Sequence, residues 1–233
     1  LSNTNKKVSM AVIRRLPRYY QYLNRLQKKG IQKISSTELA RMMGLTASQI
    51  RQDLNSFGAY GQQGYGYNVV DLRFEIQNLL GLSENYNCII VGAGHLGHAV
   101  SHYERFAREG IYITAMFDVD TELVGKSVGY LPVYHVDDMG KYVKKHKVDI
   151  AILCVPADVA QGISNLLVGC GVKAILNFSA FDLNVPEDIF VENINIIDSM
   201  FTLTYRIGEK KRHLEEDLNE NLFEEEDDAT TLL

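Results

Sequence analysis

Apolar residues recur at helical spacing through the first third of the chain and in short continuous runs through the rest, so the pattern alone divides the molecule. "RYYQYLNRLQKKG" puts Tyr19, Leu23 and Leu26 on one face, with Pro17 suited to a first helical turn and Gly30 as a stop. "SSTELARMMG" predicts a short second helix: Ser35 and Glu38 have capping-box spacing, Leu39 and Met43 lie four apart, and Gly44 ends it. "LTASQIRQDLNSFG" repeats that grammar, with Thr46 and Gln49 as a second box and Ile50, Leu54 and Phe57 as one buried stripe. "FGAYGQQGYGYNVV" then predicts a glycine-rich hairpin with Tyr and Val in its strands, and "VVDLRFEIQNLLGL" a further amphipathic helix before the polar "SENYN".

Helix, tight turn, helix and glycine-rich hairpin make a winged helix-turn-helix over 1–80. The face of the third helix opposite its stripe carries Ser48, Arg51, Gln52 and Asn55, side-chain types that hydrogen-bond base edges in a major groove. With Gln49, and with Gln62, Gln63, Tyr65, Gly66 and Tyr67 of the wing, these are the candidate DNA contacts; a merely solvated helix is the plainer alternative.

The second part opens on "NCIIVGAGHLG", an apolar run, a G-x-G-x-x-G turn and the helix "HAVSHYERFAREG", which is the context that makes this glycine pattern specific for a dinucleotide. Gly92 permits the turn, Gly94 admits the pyrophosphate and Gly97 brings helix against strand, with Ala93, His95 and Leu96 between them. Asp118 ends the next strand, "IYITAMFDVD", where a carboxylate binds ribose hydroxyls and repels a 2′-phosphate, favouring NAD(H) over NADP(H). Strands at "VDIAILCVPA" and "KAILNFSA" bring Val155, Pro156 and Asn177 to the edge where a nicotinamide would lie, although both are ordinary strand ends too. "VENINI" reads as a last strand. The fold class is therefore α/β, with a Rossmann-like parallel-sheet domain over 86–196, a C-terminal helix over 197–217 and an acidic tail over 218–233 that reads as disordered.

Charge sharpens the division. Of 24 Lys/Arg and 29 Asp/Glu, residues 1–80 hold 12 and 4, giving +8, and the rest hold 12 and 25, giving −13. A basic module joined to an acidic one points to a polyanion as partner. The three cysteines show neither C-x-x-C nor zinc spacing and read as structural thiols. No apolar run reaches bilayer length and no signal-peptide pattern opens the chain, so a cytoplasmic protein with no membrane partner is expected. His95, His98 and His102 follow the glycine turn, but no substrate domain, G-x-S-x-G, H-E-x-x-H or convincing carboxylate pair accompanies them. The dinucleotide reads as sensed rather than consumed. An NAD-dependent oxidoreductase with a helical N-terminal domain and a CoA-binding module are the competing readings, the latter giving Asp118 less purpose.

Nearly the whole chain resembles the Rex family of bacterial redox-sensing transcriptional repressors, in "RLPRYYQYL", "SSTELARMMGLTASQIRQDLNSFGAYGQQGYGYNV", "VGAGHLG", "PVYHVDDM" and "LNVPEDI", in that order. The resemblance implies a homodimer with C-terminal helices swapped between subunits, binding an inverted-repeat operator, released by NADH and permitted by NAD+. It further implies that Arg15 is the family's inter-domain arginine and Tyr103 the tyrosine beside the nicotinamide. The family's switching aspartate corresponds to Asn195, and basic wing positions correspond to Gln62 and Gln63, both departures from the pattern.

Overall fold

The computed structural model describes residues 8–58, 61 and 65–230, with side chains described as far as residue 213. Two compact units emerge: one from the chain up to Asn85 together with Arg105–Gly110, the other from Tyr86–Glu104 together with the chain from Ile111 onward. The segment 105–110 is thus counted with the first unit, which the pattern of the sequence assigned to the second.

In the first unit α1 (Met10–Ile13) and α2 (Leu16–Lys28) precede a two-residue strand β1 (Lys33–Ile34), then α3 (Ser36–Met43), α4 (Ala47–Asn55), a second short strand β2 (Tyr67–Asn68) and α5 (Val69–Leu79). The local signals explain these bounds. Ser35 and Glu38 form their reciprocal capping box, Gly44 takes the left-handed conformation that closes α3, and Thr46 accepts from the Gln49 amide to open α4. One apolar cluster then joins Leu16, Tyr19 and Leu23 of α2 to Leu39 and Met43, Ile50 and Leu54, and Leu72 and Ile76. Burial of this stripe, not helix propensity, stabilises such short helices.

The hairpin differs from expectation. Tyr67 and Asn68 pair antiparallel with Ile34 and Lys33, and the strand stops there because the Asn68 side chain accepts from the amides of Val70 and Asp71 and so starts α5. The valines expected in the strand are the first helical turn. Gln62 and Gln63 lie outside the described residues. Gly66 has φ +73°, and a Cβ there would run into the Ile34 carbonyl, so only glycine lets this segment approach β1.

The chain continues through β3 (Tyr86–Val91), α6 (His95–Ser101), α7 (Arg105–Arg108), β4 (Ile111–Asp118), β5 (Ser127–Val128), β6 (Leu131–His135), a 3-10 turn, α8 (Met139–His146), β7 (Ile150–Leu153), α9 (Ala157–Gly169), β8 (Ala174–Asn177), β9 (Phe190–Asn193) and α10 (Ile196–Thr230). The strands lie in the order β5-β6-β4-β3-β7-β8-β9, all parallel except β5 on β6. Taken in chain order, the six parallel strands run 3-2-1-4-5-6, the doubly wound dinucleotide-binding arrangement, whose crevice opens where the order reverses between β3 and β7. The sequence pattern missed β6, because Pro132 argues against a strand with neighbours on both sides. It pairs through Met116↔Val133 and Phe117↔Tyr134 on one edge and, across Pro132, with Ser127 on the other.

α10 also departs from expectation, running unbroken to Thr230 across the segment read as disordered. Beyond Gly208 the sequence has neither glycine nor proline and is rich in Glu and Leu, so nothing interrupts the helix. Ile196, Ile197, Met200, Phe201, Leu203, Tyr205 and Ile207 are all exposed on it. Among the described residues no helix is long and apolar enough to cross a membrane.

Gly66→Ala combines a left-handed backbone with a collision against Ile34. It should destabilise the first unit by about 2 kcal/mol or more, read as a shift of its denaturant midpoint. An unchanged midpoint would show that the approach of β2 to β1 is not constrained as described.

Candidate functional site

In the first unit the polar groups converge on α4. Its buried stripe is Ile50, Asp53 and Leu54, with the partly buried Phe57 packed against the same cluster just past the helix end, so one carboxylate sits among apolar side chains. Asp53 is 1% exposed. It accepts from Arg15 through Nε at 2.7 Å and Nη2 at 2.8 Å, from the Tyr19 hydroxyl at 2.9 Å and from Gln49 Nε2 at 2.7 Å. Burial alone would raise the carboxyl's pKa, but the bonds from Arg15, Gln49 and Tyr19 outweigh it and hold it below the usual range. Burial and the bond to Asp53 push the Tyr19 phenol up, and the Arg15 guanidinium is likewise raised by that carboxylate.

Two expectations change here, while Arg15, to which the resemblance gives an inter-domain role, pairs with Asp53 of its own unit. Gln49, expected on the reading face, is half-buried and turned to Asp53, because residue i+4 of the same helix offers it a charged acceptor. Tyr67, expected on the wing, is only 7% exposed and packs in the core with Ile34 and Val69. Ser48, Gln52 and Asn55 are exposed on α4, as is Arg51, whose Nη1 donates to Ser36 Oγ at 3.0 Å. Tyr65 is 67% exposed with the Lys33 ammonium 5.0 Å from its ring centroid. Pattern reading missed Asp53. The signal was available, as a lone carboxylate at core spacing.

In the second unit the glycine turn follows β3 at the crevice. Gly92 has φ +98°, and a Cβ on it would strike the Cys154 carbonyl at the end of β7; one on Gly97 would strike the Gly92 carbonyl. Turn, helix and neighbouring strand therefore touch backbone to backbone. Around Gly94, by contrast, there is open space, and no side chain caps α6, so a pyrophosphate can approach these amides. Ala93 is buried, whereas His95 and Leu96 are exposed on the first turn. Asp118 ends β4 with Oδ2 accepting from the Ala93 amide at 2.6 Å and Oδ1 from the Asp120 amide at 2.9 Å. Each oxygen keeps a second lone-pair direction for a ribose hydroxyl, so the carboxylate shapes the turn and faces the crevice together.

Across the crevice Val155 packs on the core and Pro156 is exposed ahead of α9. Asn177 is fully used internally: Nδ2 donates to the Phe181 carbonyl and to Asn193 Oδ1, and Oδ1 accepts from the amide and hydroxyl of Ser179. These bonds shape the end of β8. Tyr103 is 53% exposed just past α6. Asn195 opens α10, its Oδ1 accepting from the Ile197 amide at 3.2 Å and its Nδ2 donating to Asp198 at 3.0 Å. His98 and His102 stack with centroids 4.6 Å apart on α6. Burial pushes the Cys88 thiol up to about 12 and that of Cys154 up to about 11, so neither is a ready nucleophile at neutral pH.

Residues 7–55 match a family model described as "Putative DNA-binding protein N-terminus", and residues 83–181 one described as "CoA binding domain". The redox-sensing transcriptional repressor Rex of Clostridium botulinum is 50% identical over 203 residues, which are 87% of this chain and 97% of that protein. A crystal structure of RSP in complex with beta-NAD+ and operator DNA superposes with a TM-score of 0.83 at 48% identity, covering 88% of this chain and 94% of that one. A structure of RSP with beta-NADH gives 0.81 at 46%, covering 88% and 96%.

The Asp53 network sets a pH dependence. A carboxyl whose pKa is lower in the folded state adds stability above its unfolded value, near 3.9, and that stability is lost as pH falls through the folded value. Asp53→Asn should therefore cost about 2–3 kcal/mol at pH 7, less than for a fully buried pair because Arg15 is 31% exposed and can rehydrate. The gap from wild type should narrow below pH 4 in thermal unfolding. A gap independent of pH would mean that the ionised carboxylate is not what the network requires.

Proposed function

The chain belongs to the Rex family of redox-sensing transcriptional repressors, and from that premise we propose that it binds an operator as a homodimer and is released when NADH occupies its second domain. The observation that carries this reading is the union, in one chain, of a helix-turn-helix whose α4 shows a polar outer face with a 3-2-1-4-5-6 sheet whose glycine turn stands at the switch point. Its relatives are repressors rather than enzymes, and the dinucleotide is a sensed ligand. The Clostridium protein is named for redox sensing, and RSP has been crystallised with NAD+ and operator DNA and with NADH. A repressor of this kind works in the cytoplasm, and no membrane partner is proposed.

The residues fit the ligand. Gly94 and the amides of the first turn of α6 face open space for the pyrophosphate, while Asp118 would take the adenosine ribose and repel a 2′-phosphate. Bases are read by Ser48, Gln52 and Asn55, with Tyr65 and Gly66 near the wing. The apolar face of α10, from Ile196 to Ile207, is the surface a second copy would cover, and exposure of so many large side chains on one helix favours such burial. Two copies give two reading helices, matching an inverted repeat. The CoA reading, which the name of one family model also suggests, leaves Asp118 without a ribose diol to bind, since CoA carries a 3′-phosphate.

A ligand shifts a two-state equilibrium only by its difference in affinity for the two states. Moving the dimer from 1:99 to 99:1 takes about 5.5 kcal/mol, which two sites can share. The reduced nicotinamide is neutral and the oxidised one cationic, so an apolar ring pocket favours NADH.

Titrating operator duplex with the full-length protein at fixed salt should show affinity falling as NADH rises and holding with NAD+. Operator affinity indifferent to saturating NADH would end the sensor reading. Asp118→Ala should weaken NADH and relax rejection of NADPH, measured as the ratio of the two dissociation constants. Wild type binding NADPH as tightly as NADH would remove the ribose role from Asp118.

A further inference from the structure

The first unit holds an open cavity of about 580 Å³ between the start of α3, the outer side of α4 and the segment leading into β2. Two cations line it, Lys33 and Arg51, together with the hydroxyls of Ser36 and Tyr65. Arg51 reaches across from α4, donating through Nη1 to Ser36 Oγ at 3.0 Å. Lys33 stands over the Tyr65 ring at 5.0 Å, an attraction that holds the ammonium in place while leaving its N–H groups able to meet an acceptor. The floor is fixed by Gly66, whose close approach to Ile34 no other residue allows.

The chemistry of the lining selects an anion. Glu38 is the one carboxylate among the lining residues, and its Oε2 is taken by the Ser35 amide at 3.0 Å and the Ser35 hydroxyl at 2.8 Å. Two positive charges thus face a cavity whose single negative charge is turned to a helix cap. The space exceeds what a bare phosphate needs and admits a sugar–phosphate link, and it lies beside the polar face of α4 through the shared Arg51. A polyanion read by that face must pass it.

We infer that this cavity seats one phosphodiester of the bound duplex in each half-site, with Lys33 and Arg51 sharing its charge. Arg51 is then a positioning residue for DNA reading, not the base-reading arginine that its place on α4 predicts. The inference rests on the DNA-binding reading above and adds which groups hold the backbone. Phosphate contacts fix register without carrying sequence information, so their loss weakens all duplexes alike.

The test uses the full-length protein, the inverted-repeat duplex it selects and a scrambled duplex of equal length, over a salt series, for wild type, Lys33→Gln and Lys33→Arg. Lys33→Gln should weaken both duplexes by the same factor, on the order of tenfold or more at 0.1 M salt, and flatten the log–log salt slope by about 2 per dimer. Lys33→Arg should restore both. Phosphate-ethylation interference should lose one sensitive phosphate per half-site in Lys33→Gln. Arg51→Ala, at the other wall, must show the same sequence-independent loss, which keeps the inference testable if a Lys33 variant misfolds. An unchanged salt slope, or a loss confined to the operator, overturns it; wild type that binds no duplex overturns the DNA-binding reading instead.

Discussion

The first domain depends on one buried carboxylate. Asp53 takes four hydrogen bonds from three side chains on two helices, and its helix is the one whose other face is available to DNA. In an α-helix each residue advances about 100°, so a carboxylate fixed on the inner face fixes the outward direction of Ser48, Gln52 and Asn55 as well. An apolar stripe alone would leave that rotation less certain, since Leu and Ile can repack with small loss. A buried ion with three partners cannot slide without leaving donors unpaired. The side chains that would touch bases are therefore aimed by a group that touches none.

The second domain solves a similar problem with backbone in place of charge. Gly92 and Gly97 let the turn, the helix and the end of β7 meet at distances that no Cβ allows, and this closeness leaves the space around Gly94 open. Asp118 then ties the turn from the other side through the Ala93 amide. One carboxylate thus connects the end of β4 to the glycine turn, and any ribose bound there would feel both. Weakening Asp118 consequently disturbs the phosphate cradle as well as nucleotide choice.

What the sequence made legible follows from how local each signal is. The Ser35–Glu38 capping box, the glycine turn and the apolar strands β3, β4, β7 and β8 are written in a few adjacent residues, and each stands where its pattern puts it, whereas the second box forms only its Thr46 half because the Gln49 side chain turns to Asp53. β6 was hidden because Pro132 is tolerated there only through the partner it has in space. The partners of Arg15, Gln49 and Asn177 were hidden for a related reason: a polar side chain near a surface pattern does not announce whether it faces solvent or a buried acceptor. Tyr67 looked like a wing residue because alternation shows which residues share a face, not which face is buried.

At the start of α10 the hydrogen bonds of one neutral side chain, Asn195, set the local energetics. Its Oδ1 accepts from the Ile197 amide, as an aspartate could also do, but its Nδ2 donates to Asp198, where a carboxylate would repel instead. The neutral side chain thus steadies the start of the helix that carries the exposed apolar face.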